Sequence, residues 1–326
     1  MHERTDGNDL SVGTRDIPKI ALASRCRQCV WSARGEHHLG QRAFSRKQAG
    51  HLIASVRSDS LRVHCKRGAV HICNLYELQF DIFGWAGEHE KLLSRHLSLP
   101  GGVPFEASNA DLSYKQFLYP NYRAPTVRLG PEGQHEVHFA RWGMPSSKKR
   151  LTELAQKRAE RLDKAGKPYD FAQLLYDEPD PGVTNIRDLE NPHWRRWQSV
   201  ENRCLVPITA FSEPDQDLTR SLKPVWFSQD PDRPLAYLAG IWTPHGCVKT
   251  IKVGWEEMEV YGFLTTEANA VVRPVHKKAM PVFLRTPEAI ETWLRAPWSE
   301  AKALQEPLPD ETLTVIDVPT GRAAAA

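Results

Sequence analysis

The sequence predicts an α+β fold, on three observations. Short runs rich in β-branched and aromatic residues at His135 to Trp142, Pro224 to Ser228, Leu235 to Trp242, Glu259 to Thr265 and Thr314 to Val318 read as strands. Loops and insertions separate them where a doubly wound parallel sheet would need regularly spaced helices. Two segments carry helical spacing instead: Leu151, Leu154, Ala155, Ala159 and Leu162, stopped by Gly166 and Pro168, and Ile290, Trp293 and Leu294 behind Thr286, Pro287 and Glu288 as N-cap, N1 and N2. Within His135 to Trp142, Val137, Phe139 and Arg141 alternate out of phase with Glu136, His138 and Ala140. A further helix is expected after Ser299, and the charged, one-sided stretch over residues 148–180 is expected to be a helical insertion on the surface. Trp142 and Trp242 sit inside strand-like runs and are expected in the core.

Composition sets the class. The chain has 326 residues, 40% hydrophobic and 25% charged, a size at which roughly 75% of the unfolded surface is buried on folding. A core can therefore form without disulfides or metals, and disorder of the whole chain is excluded. No stretch of 18 apolar residues occurs, and MHERTDGNDL has no apolar region behind its charges, so neither a membrane span nor a secretory signal is supported. A cytoplasmic location is the expectation. The six cysteines, Cys26, Cys29, Cys65, Cys73, Cys204 and Cys247, are too scattered for a disulfide framework and are expected as free thiols.

Charge divides the chain near residue 70. Residues 1–72 hold 13 Lys+Arg against 6 Asp+Glu, which leaves 30 against 34 for residues 73–326. The basic front segment also carries six His and no sustained apolar period. It reads as a disordered extension, or as a stretch upstream of the working protein, although a basic tail could also steer toward nucleic acid. Residues 73–326 form the expected catalytic domain. Cys26 and Cys29 have the CxxC spacing of half a zinc site, which His64 and Cys65 could complete, but the 34-residue gap is unlike a compact finger; two unconnected thiols are the plainer reading, and no metal site is expected. No GxGxxG, Walker loop, HExxH or GxSxG occurs.

The segments that stand out are ICNLY at 72–76, ARWGMP at 140–145, TNIRD at 184–188, RCLVPITAFSE at 203–213, LAGIW at 238–242, and TTEAN followed by VHKKAMP within 265–281. In order and content they resemble the SOS-response-associated peptidase family of abasic-site processing proteins, over nearly all of residues 73–326. The resemblance implies a single domain with a barrel-like, mainly antiparallel β core and peripheral helices. It also implies a function: binding of single-stranded DNA at abasic sites, and a covalent thiazolidine between the ring-opened sugar aldehyde and an N-terminal Cys.

Cys73 matches that Cys. The chemistry needs amine and thiol on one residue: the α-amine condenses with the aldehyde to an imine, and the thiol closes a five-membered ring. An α-amine has a pKa of about 7.7 to 8.0, so part of it is nucleophilic at neutral pH. With 72 residues ahead of it the nitrogen of Cys73 is an amide, so the resemblance requires that translation begin just before Cys73 or that the bond between Ile72 and Cys73 be cut. By the same resemblance Asn185 anchors the Cys, Arg187 contacts the DNA backbone, His276 shuttles protons to the opened sugar, and Lys278 approximates a phosphate-contacting Arg displaced by one residue. Glu213 ends the apolar run CLVPITAFS, where a carboxylate is costly to bury unless paired or protonated; its pKa is expected to rise toward neutrality, as a general acid/base requires. Pro214 stands where the family usually has an aromatic residue.

His193, Trp194, Arg195, Arg196 and Trp197 form an aromatic and basic cluster. Arg195 and Arg196 are candidate phosphate contacts, while two Trp three apart on a helix more often pack inward. The expected partner is single-stranded DNA containing abasic sites, engaged by a monomer, nucleoid-associated when bound, with neither metal nor organic cofactor. The alternatives are a cysteine-dependent peptidase acting in trans and a non-covalent single-stranded DNA-binding module.

Overall fold

The computed structural model describes residues 75–215 and 224–318. The readings on residues 1–72, on Cys26 and Cys29 and on Cys73 fall outside the described residues. In chain order the first elements are β1 (Leu75–Glu77), α1 (Ile82–Leu93), β2 (Leu97–Ser98), β3 (Phe117–Leu118), β4 (Arg123–Leu129) and β5 (His135–Trp142). Two surface helices follow, α2 (Lys148–Lys164) and α3 (Phe171–Tyr176), then β6 (Asn185–Ile186) and α4 (Pro192–Arg195). The remainder comprises β7 (Arg203–Ile208), β8 (Ala210–Pro214), β9 (Pro224–Ser228), β10 (Ala236–Thr250), β11 (Gly254–Thr266), β12 (Met280–Pro281), β13 (Phe283–Leu284), α5 (Pro287–Arg295), α6 (Trp298–Ala301) and β14 (Thr314–Ile316).

Strands β11, β10, β7, β4 and β5 are joined antiparallel in that order, and a parallel pairing of β5 with β11, Arg141 to Val260 and Trp142 to Tyr261, closes them into a five-stranded barrel. A second sheet runs β14-β9-β8-β1-β3. The α+β, barrel-like and mainly antiparallel expectation therefore holds. β5 and β9 coincide with the predicted runs, whereas β10 and β11 extend well past theirs as one long hairpin. The alternation in β5 does not produce a wet face, because six of its eight residues, His135, Glu136, Val137, Ala140, Arg141 and Trp142, are buried. Trp242 is partly buried and packs against the edge of the core, with Arg128 over its ring at 3.3 Å and His138 stacked on it. Trp142 is in the core as expected.

Helix α5 covers one side of the barrel. Thr286 caps it, its Oγ1 accepting from Ala289 N at 3.2 Å, with Pro287 in the first turn. Its inward Trp293 donates Nε1 to Cys204 O at 3.0 Å and Gly240 O at 3.3 Å. Gly240 is needed there: a Cβ would stand 2.8 Å from Cys204 Sγ. The buried guanidinium of Arg203 donates to Trp293 O and Ala296 O, satisfying carbonyls at the end of α5. The helix expected after Ser299 starts one residue earlier, at Trp298. Helices α2 and α3 bury only Ala155, Ala159 and Leu174, consistent with a surface position. Among the described residues no helix is long and apolar enough to cross a membrane.

A polar chain crosses the interface of α1 with the barrel. Trp85 Nε1 donates to Tyr237 Oη at 2.9 Å, Tyr237 Oη meets His89 Nδ1, His89 Nε2 meets His135 Nδ1 at 3.0 Å, and His135 Nε2 lies 3.4 Å from a Glu291 carboxylate oxygen. Each ring can donate on one side and accept on the other only when neutral. Burial, reinforced by His135 and Arg95, pushes His89 down to about 3, and burial likewise lowers His135. Groups held neutral this way stabilise the fold fully above their unfolded pKa of 6.5 and lose that contribution as pH falls below it, at about 1.4 kcal/mol per pH unit for each. The melting temperature is therefore expected to drop between pH 6.5 and 5, before most carboxylates titrate. A flat melting curve over that window would mean that the rings are not buried as neutral groups.

Candidate functional site

Glu213 is the fourth residue of β8, held between β1 and β9 by the pairings Ser212 to Leu75 and Glu213 to Val225, and it is 0% exposed. A water-exposed carboxylate at a strand end is thereby excluded. His276 is also buried, at 1%. Its backbone N–H donates to Val272 O at 2.8 Å, and its Nδ1 lies 3.0 Å from Ala279 O. Because a carbonyl can only accept, Nδ1 carries a proton, and the neutral ring keeps its basic lone pair at Nε2. Nδ1 is 3.9 Å from Glu213 Oε2, beyond hydrogen-bond length.

The end of β11 gathers the other candidates. Phe263 and Leu264 pair in parallel with Asn185 and Ile186, and the next two residues, Thr265 and Thr266, pair with Pro281 and Met280. Asn185 and the segment that follows His276 are thus registered on consecutive residues of one strand. Asn185 is 6% exposed and donates Nδ2 to Thr184 Oγ1 at 3.0 Å. β1 is fastened to the same strand, since the Tyr76 and Tyr261 hydroxyls are hydrogen-bonded and the Tyr76 ring sits edge-on to Trp142 and Phe263. The loop before Asn185 packs on the ARWGMP turn through two glycines. Gly182 has φ +72°, Gly143 has φ +146°, and a Cβ on Gly182 would lie 2.7 Å from Gly143 Cα.

Two cations edge this buried group. Arg187 and Lys278 are exposed, and Arg187 Nη1 donates to Lys278 O at 3.2 Å. Gln305 fixes that edge, its Nε2 donating to Arg187 O at 2.8 Å and Thr265 O at 2.9 Å. Arg195, the last residue of α4, and Arg196, its C-cap, belong to a different cluster. Arg195 pairs with Glu190 at 3.7 Å, while Arg196 bonds to His193 and lies over Trp197. Trp194 and Trp197 are each 7% exposed and belong to the core, so neither offers a face for a base. Tyr76 and Gln305 escaped the sequence reading. Tyr76 lies within ICNLY and could have been found through that motif; Gln305 carries no sequence signal, since its two partners are 118 and 40 residues away.

The chain was compared with known proteins. A family model described as SOS response associated peptidase (SRAP) matches residues 181–321. Among curated proteins none matches. A crystal structure of a protein from Bacteroides thetaiotaomicron aligns with TM-score 0.50 and 20% identity, covering 75% of this chain and 92% of that one, a likeness of fold. Two from Bordetella bronchiseptica, one of them a phage-related protein, align with TM-scores of 0.48 and 0.46 and identities of 23% and 15%, covering 76% of this chain in each case and 100% and 94% of theirs. The matched segment contains Asn185, Arg187, Glu213, His276 and Lys278, and over residues 181–321 the chain is similar to the SOS response associated peptidase family, whose name refers to the response to DNA damage.

Proposed function

We propose that the protein processes abasic sites in single-stranded DNA, cross-linking to them through Cys73 once that residue is N-terminal. The observation that supports this most is the buried Glu213 and His276 pair beside the strand that begins two residues after Cys73. Leu75 pairs with Ser212, the neighbour of Glu213, and two extended residues span at most about 7 Å.

The steps balance as follows. The α-amine of Cys73 adds to the sugar aldehyde, and water leaves as the imine forms. The thiol then adds across the C=N bond, its sulfur bonding to carbon and its proton passing to nitrogen, which gives the thiazolidine. His276, with Nε2 as its basic nitrogen, protonates the departing oxygen and the opened sugar; Glu213 serves as acid/base for ring closure and for hydrolysis of the bond between Ile72 and Cys73. Asn185 anchors the Cys. Arg187 and Lys278 take phosphates at the rim, where Arg can fork onto two oxygens, and Arg195 and Arg196, exposed at the end of α4, add further backbone contacts. All these groups come from one chain, so a monomer suffices.

A denaturing gel tests the reading, using single-stranded DNA with one abasic site and two proteins, one beginning Met-Cys73 and one the full 326-residue chain. A covalently shifted band is expected from the shorter protein. A band from both, with release of residues 1–72, would show processing at Ile72. No shifted band from either protein would overturn the proposal in favour of a reversible DNA binder or a peptidase acting in trans.

A further inference from the structure

A second cluster of reactive side chains lies on the β10 end of the barrel. His245 and Cys247 are two apart on β10 and therefore point to the same face. Asp180, in the loop that leads to β6, meets them. Its Oδ2 accepts from His245 Nε2 at 3.0 Å and from Ser146 N at 3.1 Å, its Oδ1 accepts from Gly182 N at 2.8 Å, and its own N donates to Val248 O at 3.0 Å. One donor atom each of Asp180, His245 and Cys247 lie within 4.8 Å of one another. Arg141 adds a guanidinium, Nη2 donating to Cys247 Sγ at 3.7 Å. Arg141 is 5% exposed, and its Nε and Nη1 bond to nothing among the described residues.

These donors could also suit a metal ion, but the spacing favours a different use. Two ligands with bonds of about 2.0 Å in a tetrahedral site stand about 3.3 Å apart, whereas Asp180 and His245 are at hydrogen-bond distance. A carboxylate holding an imidazole beside a thiol is the arrangement that activates a sulfur nucleophile. The electrostatics agree. The bond from Asp180, with a lesser one from Cys247, raises His245 to about 9, and although burial opposes it, the bonds from His245, Ser146 and Gly182 hold Asp180 down at about 2.

We infer that Cys247 is a second reactive thiol, that His245, oriented by Asp180, relays its proton, and that the electrophile is a small hydroperoxide. Cys247 is 6% exposed, so the reactant must be small. The unpartnered N–H groups of Arg141 are suited to the oxygen that becomes negative as the O–O bond breaks. In the step the sulfur attacks the distal peroxide oxygen, an S–O bond forms and the O–O bond breaks. The thiol proton passes through His245 to the leaving oxygen, so thiol and hydroperoxide become sulfenic acid and alcohol, or water from hydrogen peroxide. The sulfur is oxidised by two electrons and the peroxide reduced by two.

Cys204 provides an internal reference, since it is 0% exposed and burial pushes its thiol up to about 12. The test treats the full chain with hydrogen peroxide and dimedone and follows each cysteine-containing peptide by mass spectrometry, in native protein and in urea. Cys247 is expected to be labelled at least tenfold faster than Cys204 in the native protein, and faster than it is itself in urea, where the cluster is gone. His245→Gln and His245→Asn are expected to lower the native rate about tenfold, with an unchanged circular dichroism spectrum. Labelling of native Cys247 no faster than in urea, or an unchanged rate in both folded variants, would overturn the inference. So would one equivalent of zinc that co-purifies with the protein and protects Cys247, which would make the cluster a metal site.

Discussion

Replacing His276 by Ala in the protein that begins Met-Cys73 is expected to slow cross-linking to an abasic site by about 10²- to 10⁴-fold, the range that a positioned general acid/base contributes. Glu213→Gln should act in the same direction. It is the sharper variant, because it keeps the shape of a side chain that is 0% exposed and removes only the charge and the exchangeable proton. The geometry separates the two roles. His276 Nδ1 is committed to Ala279 O at 3.0 Å, so proton transfer must run through Nε2. Glu213 Oε2 lies 3.9 Å from Nδ1, beyond hydrogen-bond length. Single-turnover rates on a denaturing gel, measured with each variant and with the double variant, give the coupling directly. Groups that act as a unit are grossly non-additive, so the double variant is expected to be little slower than His276→Ala alone. Wild-type rates in both single variants, with folding intact, would remove the pair from the chemistry.

How much of this was legible in the sequence differs from element to element. β5 and β9 were found at their true bounds because β-branched and aromatic residues fill them, and α5 because Thr286 and Pro287 mark its start and Ile290, Trp293 and Leu294 repeat on one face. β4 and β7 were not assigned as strands from composition. Pro125 and Pro207 interrupt them, and a proline inside a strand argues against one until the closed barrel shows which backbone N–H groups are not needed. Helix α1 escaped for a related reason: its buried polar residue, His89, becomes tolerable only through Tyr237 and His135, which lie 148 and 46 residues away. The barrel's closure rests on two residue pairs, Arg141 with Val260 and Trp142 with Tyr261, a non-local contact that no local pattern announces. The site shows the same limit. Asn185, Glu213 and His276 could be named from motif content, but their convergence depends on β11 and β8, and Tyr76 and Gln305 became visible only with the fold. Asp180, His245 and Cys247 carried no sequence clue, because the strand expected from composition stops at Trp242 and β10 runs on to Thr250.

Arg233→Ala is expected to destabilise the protein by about 3 to 5 kcal/mol, the cost of leaving a buried charge without its partner. Glu77, the last residue of β1, is 0% exposed, and Arg233 Nη1 donates to both of its carboxylate oxygens, at 2.8 and 2.9 Å. Gln116 Nε2 donates to Oε1 at 2.7 Å and would be the main remaining donor. The effect should fall on β1 in particular, since Glu77 also pairs with Phe117 and Ala210 in the sheet. Urea denaturation measures it, and a double-mutant cycle makes it specific. Glu77→Gln combined with Arg233→Met removes both charges and is expected to recover most of the loss, because an apolar or neutral replacement of both partners is far less costly than removal of one. Equal destabilisation in the cycle, with no recovery, would show that the ion pair is solvated and that β1 is held by its apolar contacts. Those contacts are real: Tyr76, the residue before Glu77 in β1, is 1% exposed and packs edge-on against Trp142 of β5 and Phe263 of β11. Because β1 pairs beside Glu213, Leu75 with Ser212, Arg233→Ala is also expected to slow cross-linking at urea concentrations where the rest of the barrel is still folded, and the double variant is expected to restore the rate along with the stability.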